Sequence, residues 1–431
     1  SDDDNETWDF VPRTPVSGLG VVVGAPATGF SDPEFAIDKN GTVYVSEINL
    51  ANIAVSKSID GGRSYELVNA VAFTSSDRQW MAADRGGELY MAANGFGGGS
   101  FPADAVGNVG HFIAKSTDGG RTWGAAGTKN GNGEADIQID QTDGILYELS
   151  NGGGGLQMAA YTNIREEAVL DTVRINMIAA GANAMDPTFD LDDEGNLYAS
   201  WYSPSSEYGR GVFYAASTDQ GVTWSTPVRV DTDDKDEVWP WIAVGAPGEV
   251  TIAWLQNDFA TTGSRPGEAA GTTAKWDVMV AHSSTGLGCA DDSQAAFSVV
   301  TASSEPVHTG TICQHGTTCQ ADLTDRRLGD YFAIEVGSDG RVHVAVSDTR
   351  EGGAIALPLH IRQTAGPRLF AADGQTSAPA PDGGGSDTES GSTAGGLVLA
   401  ADGILAATGG GAALTALSLL GMALVTRRRR D

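Results

Sequence analysis

Apolar residues along this chain gather in short runs, each closed by a polar turn that ends in glycine and followed at once by another apolar run. Six such pairs occur: residues 33–38 with 41–46, 79–84 with 87–92, 136–140 with 144–149, 187–192 with 195–201, 240–245 with 248–254, and 331–337 with 340–345. Runs this short, rich in Val, Ile and Tyr and bounded by turn residues, predict strands buried on both faces. A third apolar run follows at 53–58, 112–116 and 213–217, and in register at 158–163 and 278–283. The turn glycines at 41, 87, 144, 195, 248 and 340 recur at intervals of roughly 50 residues, the period of four-stranded repeat units. The longer last gap predicts one unit plus an insertion at about 286–328.

Three of the third runs end in one phrase, Ser-x-Asp-x-Gly-x-x-Trp/Tyr: Ser58 to Tyr65, Ser116 to Trp123 and Ser217 to Trp224. The carboxylate can bond turn amides, glycine supplies a positive φ and the aromatic opens the next strand. This phrase resembles the Asp-box (BNR repeat) of sialidases and related β-propellers, where it is a structural turn at the outer rim of a blade. The resemblance, with the six repeats, implies an all-β, six-bladed, sialidase-like β-propeller over residues 18–371. Residues 18–24 are expected to close the ring against 358–363, because propellers avoid open edges.

The remaining segments are a short N-terminal stretch, 1–17, a Gly/Ser/Thr/Pro linker at 372–396, too poor in apolar residues to pack, and a terminal segment, 397–431. The last contains Leu405-Ala406-Ala407-Thr408-Gly409, an apolar stretch over 410–426 and four arginines at 427–430. It is similar to a sortase sorting signal of the LAxTG type, a relative of LPXTG found in actinobacteria, followed by a transmembrane sorting helix held by its basic end. The resemblance implies cleavage between Thr408 and Gly409 and attachment to peptidoglycan, with sortase as partner. An extracellular, cell-wall anchored protein is expected, held by a transient membrane anchor before processing. A first residue other than Met is read as the mark of an export signal already removed.

A formal charge of −30 argues against nucleic acid or anionic membrane as a partner; a monomer is expected. Cys313 and Cys319 close a short polar loop and are expected to form a disulfide, leaving Cys289 single. No zinc spacing is present and no cofactor is expected. The acidic run at 231–237 offers oxygens to calcium but lacks a calcium loop's glycine and spacing, so it reads as a solvated loop and no metal site is assigned.

Propellers place ligands where the innermost strands begin. The residues there are polar: Asp32, Asp77 with Arg78, Asp136, Asp186, Glu237 with Trp239, and Asp330 with Tyr331, preceded by Arg326 and Arg327. As a set they mark the expected ligand-binding face, for an extracellular glycan or another extracellular ligand. The sialidase resemblance implies a tyrosine nucleophile, Tyr331, a glutamate base, Glu237, and an acid/base at Asp77 or Asp136. It also implies three arginines gripping the substrate carboxylate. The family's Phe/Tyr-Arg-Ile-Pro phrase is replaced here by Asp32-Pro-Glu-Phe, and only Arg78, Arg327 and Arg350 are placed to converge. Two readings follow: a glycan-recognising propeller without turnover, and an exo-α-sialidase-like glycoside hydrolase. Trp239 is read as an exposed aromatic able to stack on a sugar, Trp201 and Trp254 as packed between blades.

Overall fold

The six turn glycines all adopt the left-handed backbone expected of them, with φ between +72° and +84°. An aspartate often braces the same turn: Asp38 Oδ1 accepts from Asn40 N and Thr42 N, both at 2.9 Å. Each turn joins the first two strands of an antiparallel sheet. The computed structural model describes residues 31–49, 52–74, 76–96, 109–125, 135–166, 170, 172–205, 208–261, 265–291, 295–314, 319, 324–329, 333–351, 353, 356–370 and 398–404.

Among them are six antiparallel sheets and almost no helix. The first sheet holds β1 (Ser31–Ile37), β2 (Val43–Asn49), β3 (Asn52–Ser58) and β4 (Glu66–Thr74); the second β5 (Ser76–Ala83), β6 (Leu89–Phe96), β7 (Val109–Ser116) and β8 (Gly124–Ala125). The third holds β9 (Ala135–Asp140), β10 (Ile145–Gly152), β11 (Gly155–Tyr161) and β12 (Val173–Ala180); the fourth β13 (Met185–Leu191), β14 (Leu197–Ser203), β15 (Gly211–Ser217) and β16 (Val228–Arg229). The fifth is β17 (Glu237–Val244), β18 (Val250–Asn257), β19 (Lys275–Ser283) and β20 (Ser298–Thr301), with β21 (His308–Thr309) beside β19. The sixth is β22 (Ala333–Val336), β23 (Val342–Asp348), β24 (Leu357–Ala365) and β25 (Val398–Ile404).

Hydrophobic clusters fill the space between consecutive sheets, and strand alternation explains them. In β14, Leu197, Ala199 and Trp201 pack with the third sheet, while Tyr198 packs with Ile252 and Trp254 of the fifth. In β6, Leu89, Met91 and Ala93 meet the first sheet and Tyr90 and Ala92 the third. A strand sandwiched in this way is apolar at every position, which is why the runs show no clean alternation. Trp201 and Trp254 are fully buried, and truncating either to alanine would cost about 3–5 kcal/mol.

Consecutive first strands touch one another from β1 through β22. Their side chains tie neighbouring backbones together: Gln79 donates to Asp32 O, Gln138 to Phe189 O at 2.5 Å, and Val244 N to Asp190 Oδ2 at 3.0 Å. From the β9–β10 turn, Gln141 Nε2 reaches Ile37 O and Ala83 O, both at 2.8 Å. A narrow channel is lined by all six first strands, among them Phe35, Met81, Ile137, Phe189, Ile242 and Glu335.

Two expectations need correction. The outer strand of the sixth sheet is β25, which pairs with β24. It comes from beyond the assigned boundary at 371, because the apolar Val398-Leu-Ala-Ala run is used as a strand; residues 18–24 lie outside the described residues. The insertion is also smaller than 286–328, since β20 within it completes the fifth sheet. A disulfide joins Cys313 and Cys319, with sulfurs 2.01 Å apart. Among the described residues no helix is long and apolar enough to cross a membrane. The pentapeptide Leu405 to Gly409 and the stretch after it lie outside them.

Candidate functional site at the channel mouth

In four first strands the pairing ladder slips at the same place. One extra residue stands opposite the second strand between Ser31 and Glu34, between Asp77 and Trp80, between Met185 and Thr188, and between Val238 and Trp241. The slip is a β-bulge, a device that re-aims a side chain. At each bulge a non-glycine residue takes a positive φ: Asp32 at 50°, Arg78 at 52°, Asp186 at 49° and Trp239 at 56°. Such a backbone costs about 1–2 kcal/mol at an L-residue. A proline follows three of the four, which disfavours a right-handed helical conformation for the residue before it.

All four residues line one cavity of about 190 Å³ with Glu34, Trp80, Asp136, Trp241, Arg265 and Gln314. Its volume is below the roughly 300–1,000 Å³ of sites for drug-sized ligands, so it suits one small ring. Trp80 and Trp241 approach from the second and fifth sheets with ring centroids 5.7 Å apart, and they line both this cavity and the channel below it. The tryptophan pair thus forms a floor. Asp136 reaches the cavity from an unbulged strand and accepts a hydrogen bond from Phe189 N at 3.2 Å.

The cavity therefore brings together Asp32, Arg78, Asp136, Asp186 and Trp239 from the set marked in the sequence. Trp239 is only 3 % exposed, so the expectation of an exposed stacking aromatic moves to Trp80 and Trp241. Asp77 does not line the cavity; its Oδ1 accepts from Arg78 N at 2.9 Å and braces the bulge. Arg327 and Arg350 do not converge there. Arg327 is paired with Asp325 and Arg350 with Asp348, both at 2.6 Å. Arg326 donates to Cys313 Sγ at 3.5 Å. Among the described residues, the arginines lining the mouth are Arg78 and Arg265. Asp330 and Tyr331 lie outside the described residues.

Arg265, Gln314 and the tryptophan floor carried no signal singled out in the sequence. Arg265 precedes a one-turn helix, α1 (Pro266–Ala269), and Gln314 stands next to the disulfide at Cys313, so both rim residues come from loops of the fifth unit. Gln314 Oε1 accepts from Gly267 N at 2.8 Å and ties the two loops together.

Glu237, at the start of β17, is fully buried and does not line the mouth. Burial, reinforced by Asp231 and Asp233 and opposed by Arg210 and Arg229, pushes its carboxyl up to about 10. The run from Asp231 to Glu237 is only in part the solvated loop expected: Thr232 and Asp234 are exposed, but Asp231, Asp236 and Glu237 are at most 5 % exposed. Asp236 is held by Arg210 and by Thr261 N at 2.9 Å, and Asp231 by Arg229 and by Val212 N at 2.7 Å.

No family model matches the sequence, and no curated protein matches it. Similar solved structures include a protein of unknown function from Dyadobacter fermentans, at 16 % identity and a TM-score of 0.42, covering 76 % of this chain and 92 % of that one. The NanB sialidase from Streptococcus pneumoniae is similar at 9 % identity and a TM-score of 0.43, over 75 % of this chain and 65 % of its own. An α-L-arabinanase from Penicillium chrysogenum is similar at 12 % identity and a TM-score of 0.36, over 76 % and 80 %. Likeness at these scores assigns neither family nor activity.

Proposed function

We propose that the chain is a six-bladed, sialidase-like β-propeller displayed outside the cell, whose axial cavity recognises a neutral or cationic glycan end without hydrolysing it. The observation that carries this reading is the set of four bulged, positive-φ residues, Asp32, Arg78, Asp186 and Trp239, directed from four sheets into one cavity. Backbone strain held at equivalent positions under unlike side chains serves a ligand better than it serves packing. Trp80 and Trp241 offer ring faces to a sugar, and the carboxylates accept its hydroxyl hydrogens. Among the described lining residues, Asp32, Glu34, Asp136 and Asp186 against Arg78 and Arg265 leave a formal −2, which repels a sialic or uronic acid carboxylate. Among the described residues two arginines line the mouth in place of three, which favours recognition over exo-sialidase turnover.

The test is a panel of neutral, amino and sialylated glycans presented to the 431-residue chain, alongside a fluorogenic sialyl substrate. Neutral or amino sugars are expected to bind, with no fluorophore released. Sialidase turnover that disappears in Tyr331→Phe would replace recognition with hydrolysis. Failure of every glycan to bind would remove the ligand class. Display on a Gram-positive wall rests on the order of pentapeptide, apolar stretch and arginines at 405–430. Thr408→Ala is expected to move the protein from the wall fraction to the membrane fraction; an unchanged distribution would overturn anchoring.

A further inference from the structure

The fourth and fifth sheets are joined by residues 230–236, which cross from the outer strand β16 to the inner strand β17. On this crossing, carboxylate oxygens of Asp231, Asp233 and Glu237 all lie within 4.8 Å of one another. An acidic cluster alone says little. Glu237 adds an independent observation: it is fully buried, and neither Oε1 nor Oε2 has a hydrogen-bond partner. A buried carboxylate without partners is among the costlier arrangements a fold can hold.

We propose that Asp231, Asp233 and Glu237 form a site for one Ca²⁺ ion that pins the crossing loop where it enters β17, just ahead of the bulge at the channel mouth. The oxygen spacing supports it, because two ligands each about 2.3–2.6 Å from calcium stand no more than about 5 Å apart. The charge does too. With Glu237 ionised, as coordination requires, the formal charges of Asp231, Asp233, Asp234, Asp236 and Glu237 against Arg210, Arg229 and Lys235 leave −2, the complement of one divalent cation. Arg229 Nε and Nη2 both donate to Asp231 Oδ2, and Val212 N donates to Oδ1, so Oδ1 keeps one lone-pair direction for the ion. The donors are all hard oxygens, with no histidine or cysteine in the group, which selects calcium or magnesium over softer metals. An irregular set completed by water suits calcium's flexible shell better than the strict octahedron of magnesium. Asp233 is the solvent-facing member, at 37 % side-chain exposure, and gives the ion its way in.

Glu237 is two residues before Trp239, so a bound ion would fix the bulge that shapes the mouth. The site differs in residues and purpose from the glycan cavity and stands whether or not that cavity binds sugar.

The experiment strips the full chain with a chelator, dialyses it against about 1 mM CaCl₂ or MgCl₂, and measures bound metal per chain and melting temperature. One calcium per chain is expected, with a melting temperature several degrees above the stripped protein and a smaller rise with magnesium. Glu237→Gln keeps the shape and is expected to weaken calcium binding at least ~10-fold, removing the thermal shift; Asp233→Asn should weaken it less. Should Glu237→Gln fail to fold, Asp233→Asn, altered at the exposed edge, carries the test. No bound calcium in the wild type, or unchanged affinity in the folded variants, would overturn the site.

Discussion

The two ends of the sheets repeat themselves in different ways. At the end away from the mouth, the turns from β3, β7 and β15 use the same side chains for the same bonds. Gly62 N, Gly120 N and Gly221 N each donate to the turn serine at 2.9 Å, and Ser64, Thr122 and Thr223 each donate a hydroxyl to the turn aspartate at 2.6–2.7 Å. Ser64 and Ser58 hold the Asp60 carboxyl down at about 2. Burial raises Asp118 and Asp219 somewhat, but hydrogen bonds from Thr122 and Thr223 outweigh it and leave both lowered. At the mouth, four bulges share φ to within a few degrees, yet carry Asp, Arg, Asp and Trp. A repeat that keeps backbone and side chain is holding the fold together. A repeat that keeps the backbone and varies the side chain is building a surface.

That contrast can be broken experimentally. The largest effect should come from the floor: Trp241→Ala is expected to weaken the best-bound glycan by ~30-fold or more, the loss of a buried aromatic anchor worth about 2 kcal/mol or above. Titration of the best-bound glycan checks it, with a melt to confirm folding, and unchanged affinity would deny the mouth its role. Next is a titration at the far end, where burial pushes Glu249, beside His282, from 4.5 up to about 7. The folded chain holds this proton longer than the unfolded one, so its stabilisation is complete below about pH 4.5 and is lost as pH rises through about 7. Denaturant melts across that window should show wild-type stability falling relative to Glu249→Gln by about 2 kcal/mol; parallel curves would rule the effect out. Asp118→Ala should cost about 1–2 kcal/mol in the same melts, through the lost charged hydrogen bonds of its turn. Glycan affinity should not change with it. A turn variant that altered binding would erase the distinction between the two ends.

Strand runs, turn glycines and the three turns were legible because each is written in local sequence: apolar clustering, Gly at positive φ, and Ser and Asp two apart. The mouth was partly legible. Asp32-Pro33, Asp186-Pro187 and Trp239-Pro240 sit at the strand starts, so their positions stood out, although the bulge that turns them inward depends on pairing with a second strand. Arg265 and Gln314 were not legible, because they reach the mouth through loops whose course is set by a disulfide and a tertiary hydrogen bond. Glu237 was misplaced for a related reason. Closeness to Trp239 in sequence suggested a shared cavity, but the bulge between Val238 and Trp241 breaks the alternation that would otherwise put residues 237 and 239 on one face. The same run read as wholly solvated because acidic composition says nothing about Arg210 and Arg229, which pair with its buried members Asp236 and Asp231.

The smallest predicted effect bears most directly on the comparison. Arg78 holds φ at 52°, a conformation that glycine adopts without penalty and arginine does not. If the bulge existed for stability, replacing Arg78 would only remove contacts and the protein would melt earlier. If it exists to present a guanidinium to the cavity, Arg78→Gly should relieve strain and raise stability by about 1 kcal/mol while glycan affinity falls. The two signs should be opposite: no substitution in the Asp60 and Asp118 turns is expected to stabilise, because there the left-handed positions are already glycine, at 61, 62, 119 and 120. Denaturant melts and glycan titration of Arg78→Gly beside Asp118→Ala would read both signs. A loss of stability in Arg78→Gly equal to that in Asp118→Ala would mean that the mouth, like the far end, is repeated for the sake of the fold.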